Sequence, residues 1–489
     1  MTSRIERRVC RAAAVRGSLV ALAVLGLGVA AGSGGGVDAG VVFDQVGGDI
    51  DGEAPMDLAG FVALSGDGNR VAIGAPGNDG AGDFAGHVRV FDWNSATTAW
   101  TQVGVDIDGE PGSPGFGSSY GGSVSMSADG SRVAVGAETV GAADGSGPGR
   151  VGVYGWDGGA WAQIAGYIEG EAEGSFGRSV ALSANGHRVA GGAPVYPSVF
   201  GNVSGYAAVF ESNGTPPAWT PVGPSFVGEE FDSKGTSVSL SADGNRFAVS
   251  SAAGEGGRVQ VYDWDSTASM WVQVGGDLDG VAGDSFGWRI DLSDEGNRIA
   301  IAAVGDDNSG RFVRVYDWDN TTSTWAPVGT DIEAVTEGNR FGDSVAISGD
   351  GRRIAVGAPG AALPVGAEPT GEDPGHVYVY DWDVFTGQWT QIGTGIAGEA
   401  AYDSFGRTVA LTVDGDRVAV GADRNDGNGS DSGHVRIYDI ASAQPPTTIG
   451  PVSDTIPATG YHTGAMIAIG SVMTCCGILL LARSRLHRA

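Results

Sequence analysis

The body of this sequence lacks cysteine. Its three cysteines, Cys10, Cys475 and Cys476, all lie near the two ends, and none occurs between residues 40 and 455. This absence excludes a disulfide scaffold, a thiolate metal site and a cysteine nucleophile from the body.

Basic residues are also scarce. Lys234 is the single lysine, and 28 basic residues stand against 58 acidic ones, giving a formal net charge of −30. A surface this acidic repels phosphate backbones and anionic lipid, so we expect no nucleic-acid partner. Attraction of cations and solubility outside the cell both fit this charge.

Helical periodicity is missing from the body as well. Glycine supplies 86 of 489 residues, well above the usual fraction of about 7%. Because 42% of the residues are hydrophobic and 12 are tryptophan, we interpret the glycines as tight turns around a packed core rather than as low complexity.

The N-terminus has the features of an export signal. The apolar stretch Leu19–Ala31 is too short for a typical membrane span and follows a basic segment that contains Arg4, Arg7, Arg8, Arg11 and Arg16. We predict a signal peptide at residues 1–39, using the general secretory route rather than twin-arginine export. An uncleaved signal anchor is the alternative.

The C-terminus combines a pentapeptide, an apolar stretch and a basic tail. The pentapeptide is Ile456, Pro457, Ala458, Thr459 and Gly460. The apolar stretch Gly464–Ala482 would form a helix of about 28 Å, nearly the bilayer core. The arginines that follow would hold its end on the cytoplasmic side.

This order resembles the cell-wall sorting signal of Gram-positive bacteria, with Ile456 in place of the usual leucine. The resemblance implies that a sortase would join Thr459 to a cell-wall peptide and discard Gly460 and all that follows. A plain membrane anchor is the alternative. Residues 456–489 are thus the predicted sorting signal or anchor, and residues 441–455 are a Pro/Ser/Thr linker.

One unit recurs seven times in the body, at residues 40–440. Each copy contains an arginine after an acidic or Asn-Gly turn, and these arginines lie 52 to 64 residues apart: Arg70, Arg132, Arg188, Arg246, Arg298, Arg353 and Arg417. Each copy shows four strand signals, with an Asp-Gly or Asn-Gly hairpin between the first two. This pattern predicts an all-β fold, a seven-bladed β-propeller of four-stranded antiparallel blades.

The ends of the body predict ring closure. The last copy lacks a fourth strand, and the missing strand is found at the beginning, where residues 41–53 match residues 100–110. We therefore expect the N-terminal strand to complete the last blade and to remove the exposed sheet edges.

Eleven of the twelve tryptophans occupy repeat positions, which favours packing between blades over a sugar-stacking platform. Trp288 stands outside the repeat. It is therefore the aromatic residue that we predict to contact a ligand.

Phe-Gly followed by Gly-Ala-Pro, as in Phe176-Gly177 to Pro194 and Phe341-Gly342 to Pro359, resembles the FG-GAP repeat. That repeat builds the seven-bladed propeller of integrin α subunits and of bacterial surface proteins. The resemblance implies the same fold for residues 41–440.

Calcium-binding members of the FG-GAP family carry an Asp-x-Asp-x-Asp-Gly loop between the first two strands of a blade. Here a short turn such as Ala128–Ser131 takes its place, so those metal sites are not carried over.

Other acidic clusters would suit calcium, which prefers oxygen ligands. They are Asp79 and Asp83; Asp306 and Asp307; and Asp423, Asp426 and Asp431. Asp is also an ordinary turn residue, so both interpretations stay open. His87, His376 and His434 share one repeat position, and we interpret them as structural residues rather than a metal triad.

No catalytic motif stands in its required context. We therefore expect a monomeric, non-enzymatic binding or adhesion propeller, displayed on the cell wall or the outer face of the plasma membrane, with an extracellular glycan or protein as ligand. It would touch the membrane only through its C-terminal anchor. An extracellular carbohydrate-active enzyme on a propeller scaffold is the alternative.

Overall fold

The computed structural model describes residues 42–82, 85–109, 123–138, 147–171, 174–194, 204–254, 256–305, 311–334, 339–360 and 373–441. These residues form strands, turns and loops and contain no helix. The described residues therefore contain no helix that is long and apolar enough to span a membrane. The predicted signal peptide, linker and sorting signal lie outside the described residues, apart from Ala441, and stay predictions.

Seven antiparallel sheets confirm the predicted propeller. The first strand of each blade faces the central channel. In order of blades, these strands are β3 (Phe61–Leu64), β8 (Val124–Met126), β13 (Ser179–Leu182), β18 (Lys234–Leu240), β23 (Arg289–Leu292), β28 (Ser344–Ile347) and β32 (Thr408–Leu411).

The second strands are the most buried part of each blade, because the RVAVGA pattern alternates apolar side chains between the two neighbouring blades. They are β4 (Arg70–Ala75), β9 (Arg132–Ala137), β14 (Arg188–Ala193), β19 (Arg246–Ser251), β24 (Arg298–Ala303), β29 (Arg353–Ala358) and β33 (Arg417–Ala422). Every one of them begins at a repeat arginine.

The third strands follow the variable loops. They are β5 (His87–Asn94), β10 (Arg150–Trp156), β15 (Tyr206–Asn213), β20 (Arg258–Asp265), β25 (Phe312–Asp319), β30 (His376–Asp383) and β34 (His434–Ala441).

The fourth strand of most blades is split into a longer and a two-residue segment that pair with the same third strand. The pairs are β6 (Ala99–Gln102) and β7 (Ile107–Asp108); β11 (Trp161–Gln163) and β12 (Ile168–Glu169); β16 (Ala218–Pro221) and β17 (Phe226–Val227); β21 (Met270–Gln273) and β22 (Leu278–Asp279); and β26 (Thr324–Pro327) and β27 (Ile332–Glu333). Blade 6 has one continuous strand, β31 (Gln388–Ala397).

Ring closure is as predicted. The N-terminal segments β1 (Val42–Gln45) and β2 (Ile50–Asp51) both pair with β34 and complete blade 7. In β1, Phe43 takes the place that a tryptophan holds in the other fourth strands and lies against Gly393 of blade 6. The chain therefore joins its beginning to its end within a single sheet.

The core consists of seven apolar clusters. The Phe-Gly phenylalanines Phe176, Phe286, Phe341 and Phe405 are at most 1% exposed. Burying one such ring stabilises the fold by about 2–3 kcal/mol.

The repeat tryptophans pack between blades, as predicted. The indole Nε1 of each fourth-strand tryptophan donates to a carbonyl oxygen of the preceding blade. The pairs are Trp100–Val46, Trp161–Val103, Trp219–Ile164, Trp271–Val222, Trp325–Val274 and Trp389–Val328. These bonds occupy the polar edge of the ring, so they account for the six fourth-strand tryptophans without a ligand.

Candidate functional site

Trp288 lines a pocket between blades 3, 4 and 5. The pocket has a volume of about 290 Å³, and its walls include Arg178, Ser233, Thr236 and Ser285. The rest of the described lining is Pro194, alanine and glycine. Trp288 immediately precedes β23, and its backbone N–H donates to Ala302 O at 3.1 Å, so the fold fixes its position on the wall.

The indole of Trp288 has an unusual environment. Its Nε1 is buried and has no hydrogen-bond partner among the described residues. The guanidinium carbon of Arg289 lies 5.3 Å from the centre of the indole ring, within the range of a cation–π contact. Trp288 thus differs from the six fourth-strand tryptophans, whose Nε1 atoms bond a neighbouring blade.

The charged residue that lines the pocket is Arg178, which is paired with the buried Glu138. Arg178 Nη1 lies 3.2 Å from Glu138 Oε2, and both side chains are about 5% exposed (6% and 5%). Partners this well paired present a polar but nearly neutral wall. No carboxylate is among the described residues that line the pocket.

The central channel holds a second cavity of about 370 Å³, lined by the seven first strands. Asp291 of β23 projects into it. Burial raises the pKa of Asp291 to about 6, against hydrogen bonds that favour the ionised form. Its Oδ1 accepts from Ser239 Oγ at 3.1 Å and its Oδ2 accepts from Ile347 N at 2.9 Å. Asp291 therefore connects blades 4, 5 and 6.

The predicted calcium ligands that the structure describes differ in burial and in their hydrogen-bond partners. Asp426 Oδ1 accepts from Asp431 N at 2.9 Å, so this pair builds a turn. Asp423 is buried, its Oδ2 lies 3.7 Å from Arg407 Nε, and burial raises its pKa. Asp79 is exposed. None of the four belongs to a described group of three or more metal-ligating side chains. Asp83, Asp306 and Asp307 lie outside the described residues, and calcium binding stays a prediction.

Two clusters that the sequence interpretation missed each combine a histidine with two carboxylates. One contains Glu53, His87 and Asp106, and the other contains Asp49, Glu399 and His434; within each, the candidate ligand atoms lie within 4.8 Å of one another. The clusters occupy equivalent places in blades 1 and 7. His87 and His434 each lie beside carboxylates of their own cluster.

Both histidines are 1% exposed. Burial, followed by the neighbouring Arg89, lowers the pKa of His87. Burial and Arg436 lower the pKa of His434 in the same way. The two imidazoles are therefore neutral near pH 7, the form in which a ring nitrogen has a lone pair to offer.

Part of the chain matches a known repeat family. The FG-GAP repeat family matches residues 335–380 and 389–438. None of the curated proteins matches the chain.

Three solved structures are similar at 12–16% identity. Hydrazine synthase of Kuenenia stuttgartiensis has a TM-score of 0.49 and 12% identity over 80% of this chain and 98% of its own. The Cps50 (Swd1) β-propeller domain of Myceliophteria thermophila has a TM-score of 0.47 and 12% identity, and the match covers 82% of this chain and 100% of that domain. The periplasmic gluconolactonase PpgL of Pseudomonas aeruginosa has a TM-score of 0.46 and 16% identity, and the match covers 70% of this chain and 86% of that chain. Similarity at this level carries no argument about activity. The chain is a seven-bladed β-propeller in which residues 335–380 and 389–438 match the FG-GAP repeat.

Proposed function

We propose that this chain is an exported, non-enzymatic propeller that binds an extracellular glycan in the Trp288 pocket. The observation that carries the proposal is the placement of the one tryptophan that the repeat does not require. It lines a cavity whose other walls carry hydroxyls and the guanidinium of Arg178, which is ion-paired with Glu138.

The chemistry of this pocket suits a sugar. The face of an indole ring packs against the apolar C–H face of a pyranose, and its size gives a large contact area at little entropic cost. Short hydroxyl side chains and a buried ion pair supply the few oriented polar groups that fix a ligand in a small pocket. At about 290 Å³, the cavity is just below the usual size of ligand sites, about 300–1,000 Å³, so it suits a small ligand such as one sugar ring.

Binding is favoured over hydrolysis at this pocket because glycosidases use two carboxyl groups across the scissile bond. The described lining contains none. The alternative, a carbohydrate-active enzyme, would use the central channel, where Asp291 has the raised pKa of a general acid. Both Asp291 oxygens already accept hydrogen bonds from neighbouring blades, which favours a structural role for that residue.

The proposed location follows from the two ends of the sequence. The basic and apolar N-terminus directs export, and Ile456–Gly460 with its apolar stretch attaches the chain to the wall through a sortase. The propeller would then face the extracellular medium as a monomer, with its acidic surface keeping it soluble.

A glycan array with the purified chain tests the proposal. The wild type should bind at least one glycan class without releasing products. Trp288→Ala should lose that binding by tenfold or more, whereas Phe385→Ala, which removes an aromatic ring that is 96% exposed elsewhere, should retain it. Product release that disappears in Asp291→Asn would instead establish the enzymatic alternative.

A further inference from the structure

We propose that Glu53, His87 and Asp106 form a binding site for a divalent transition-metal ion such as Zn²⁺, at the seam where the ring closes. Glu53 belongs to the connection between β2 of blade 7 and β3 of blade 1, and the other two residues belong to blade 1. A bound ion would therefore hold the first and last blades together.

The donor set selects the class of ion. One imidazole nitrogen and two carboxylate oxygens are ligands that Zn²⁺ accepts, and imidazole is a ligand typical of transition metals rather than of calcium, which takes oxygen. Three protein ligands leave room for a water in a tetrahedral shell.

The distances leave space for an ion between the ligands. His87 Nδ1 lies 3.6 Å from Asp106 Oδ2 and 4.0 Å from Glu53 Oε2. Both separations exceed hydrogen-bond length, and they approach the edge of about 3.4 Å of a tetrahedron with bonds of about 2.1 Å. Contractions of about 0.2 Å and 0.6 Å would bring these two separations to the tetrahedral edge.

Neighbouring groups orient two of the ligands, as outer-shell partners do in metal sites. Gln102 Nε2 donates to Asp106 Oδ1 at 2.6 Å, which leaves Oδ2 facing His87. The backbone N–H of Glu53 donates to Asp57 Oδ2 at 2.8 Å. Arg89 Nη2 donates to the carbonyl oxygen of Asp51 at 2.6 Å, so this guanidinium is anchored beside the cluster.

In two other blades, the aspartate at the position equivalent to Asp106 forms an ion pair with an arginine. Asp331 in blade 5 is paired twice with Arg314 at 2.6 Å. In blade 7, Arg436 donates to both oxygens of Asp49, at 3.0 and 2.9 Å, and it also contacts Glu399. In blade 1 the described ion-pair partner of Asp106 is His87 alone. Arg89 occupies the place of Arg436 in the blade 1 cluster, but its described ion pair is with Glu53 alone, at 3.5 Å between Nη1 and Oε1. The carboxylate of Asp106 is thus left without the arginine that pairs with Asp49 in blade 7.

Burial provides independent support. His87 is 1% exposed, and its Nε2 has no hydrogen-bond partner among the described residues. The Nδ1 of His87 lies beyond hydrogen-bond length of both carboxylates, so a metal bond at Nδ1 would offset part of the free-energy cost of burying the imidazole. The side chains of Glu53 and Asp106 are 45% and 29% exposed, so an ion can reach the imidazole from solvent.

The test uses the full-length chain, stripped with a chelator and then dialysed against Zn²⁺. Bound zinc is measured by elemental analysis, and the thermal midpoint Tm is measured with and without Zn²⁺. We expect a single Zn²⁺ per chain above the amount bound by His87→Gln, and a Zn²⁺-dependent rise in Tm. Ca²⁺ at the same concentration should not give the same rise through this cluster.

Glu53→Gln is the decisive variant because its side chain is half exposed and its loss leaves the core intact. It should weaken zinc binding at least tenfold while the metal-free chain stays folded, with its Tm lowered at most by the loss of the Arg89–Glu53 ion pair. Glu399→Gln, the equivalent change in blade 7, is the matched control and should leave zinc binding as it is. Equal zinc binding by the wild type and Glu53→Gln, or no binding by the wild type, would overturn the proposal.

Discussion

Arg417 Nη1 donates to the carbonyl oxygen of Gly68 at 2.8 Å and so joins the last blade to the first, 349 positions away in the sequence. Each of the other repeat arginines makes the same bond to the next blade. The pairs are Arg70–Gly130, Arg132–Gly186, Arg188–Gly244, Arg246–Gly296, Arg298–Gly351 and Arg353–Gly415. A seven-fold ring of charge-assisted bonds thus runs around the propeller.

Arg417→Ala should therefore destabilise the chain by about 2 kcal/mol, the usual contribution of a hydrogen bond from a charged donor. The Asp439 partner of Arg417 is 48% exposed, so the ion pair adds little. The free energy of unfolding from urea titration measures the effect.

Arg352→Ala is the control for that experiment. Its guanidinium is 71% exposed and lies 3.8 Å from Asp350, so its loss should cost less than about 0.5 kcal/mol. Equal losses for the two variants would show that the ring of arginine bonds adds no stability.

Glycine is required where the fourth strand turns against the tryptophans of the next blade. Gly104 has φ +78°, and a Cβ there would lie 2.8 Å from the Trp156 ring and 3.1 Å from Trp161. Gly166 has φ +80° with nothing within 4 Å. Gly104→Ala should thus cost about 1–3 kcal/mol more than Gly166→Ala, because both share the backbone strain and only the first adds a clash. Thermal unfolding of both variants measures the difference, and equal Tm values would contradict it.

Asp291 should make stability depend on pH. Its pKa rises from 3.8 in the unfolded chain to about 6 in the fold because it is buried. The folded state therefore holds the proton more tightly, and stability increases as pH falls from 6 towards 3.8. Relative to Asp291→Asn, which does not titrate, the wild type should lose up to about 2 kcal/mol between pH 4.5 and pH 8. A difference in unfolding free energy that is constant over this range would refute the assignment.

Much of the fold could be predicted because the repeat imposes one environment seven times. The spacing of the arginines located all seven second strands, and the strand missing at the end predicted the β1–β34 pairing. The role of those arginines could not be predicted, since Arg417 meets Gly68 only after the ring has closed.

The candidate sites were less predictable. Trp288 could be singled out because it breaks the repeat, but its pocket is built largely from loops of blades 3, 4 and 5 whose course the sequence pattern does not determine. The blade 1 cluster left a signal, a histidine before the third strand and a recurring Asp-Ile-Asp-Gly-Glu segment. The two were not connected because Glu53 reaches His87 from the preceding blade.

Calorimetric titration of the chain with the glycan that it selects from the array tests the central claim most directly. The account predicts that binding is saturable, leaves the glycan intact, and is lost in Trp288→Ala although the variant keeps the wild-type Tm within about 2 °C. Undiminished binding by a folded Trp288→Ala chain, or cleavage of the glycan during the titration, would contradict the account.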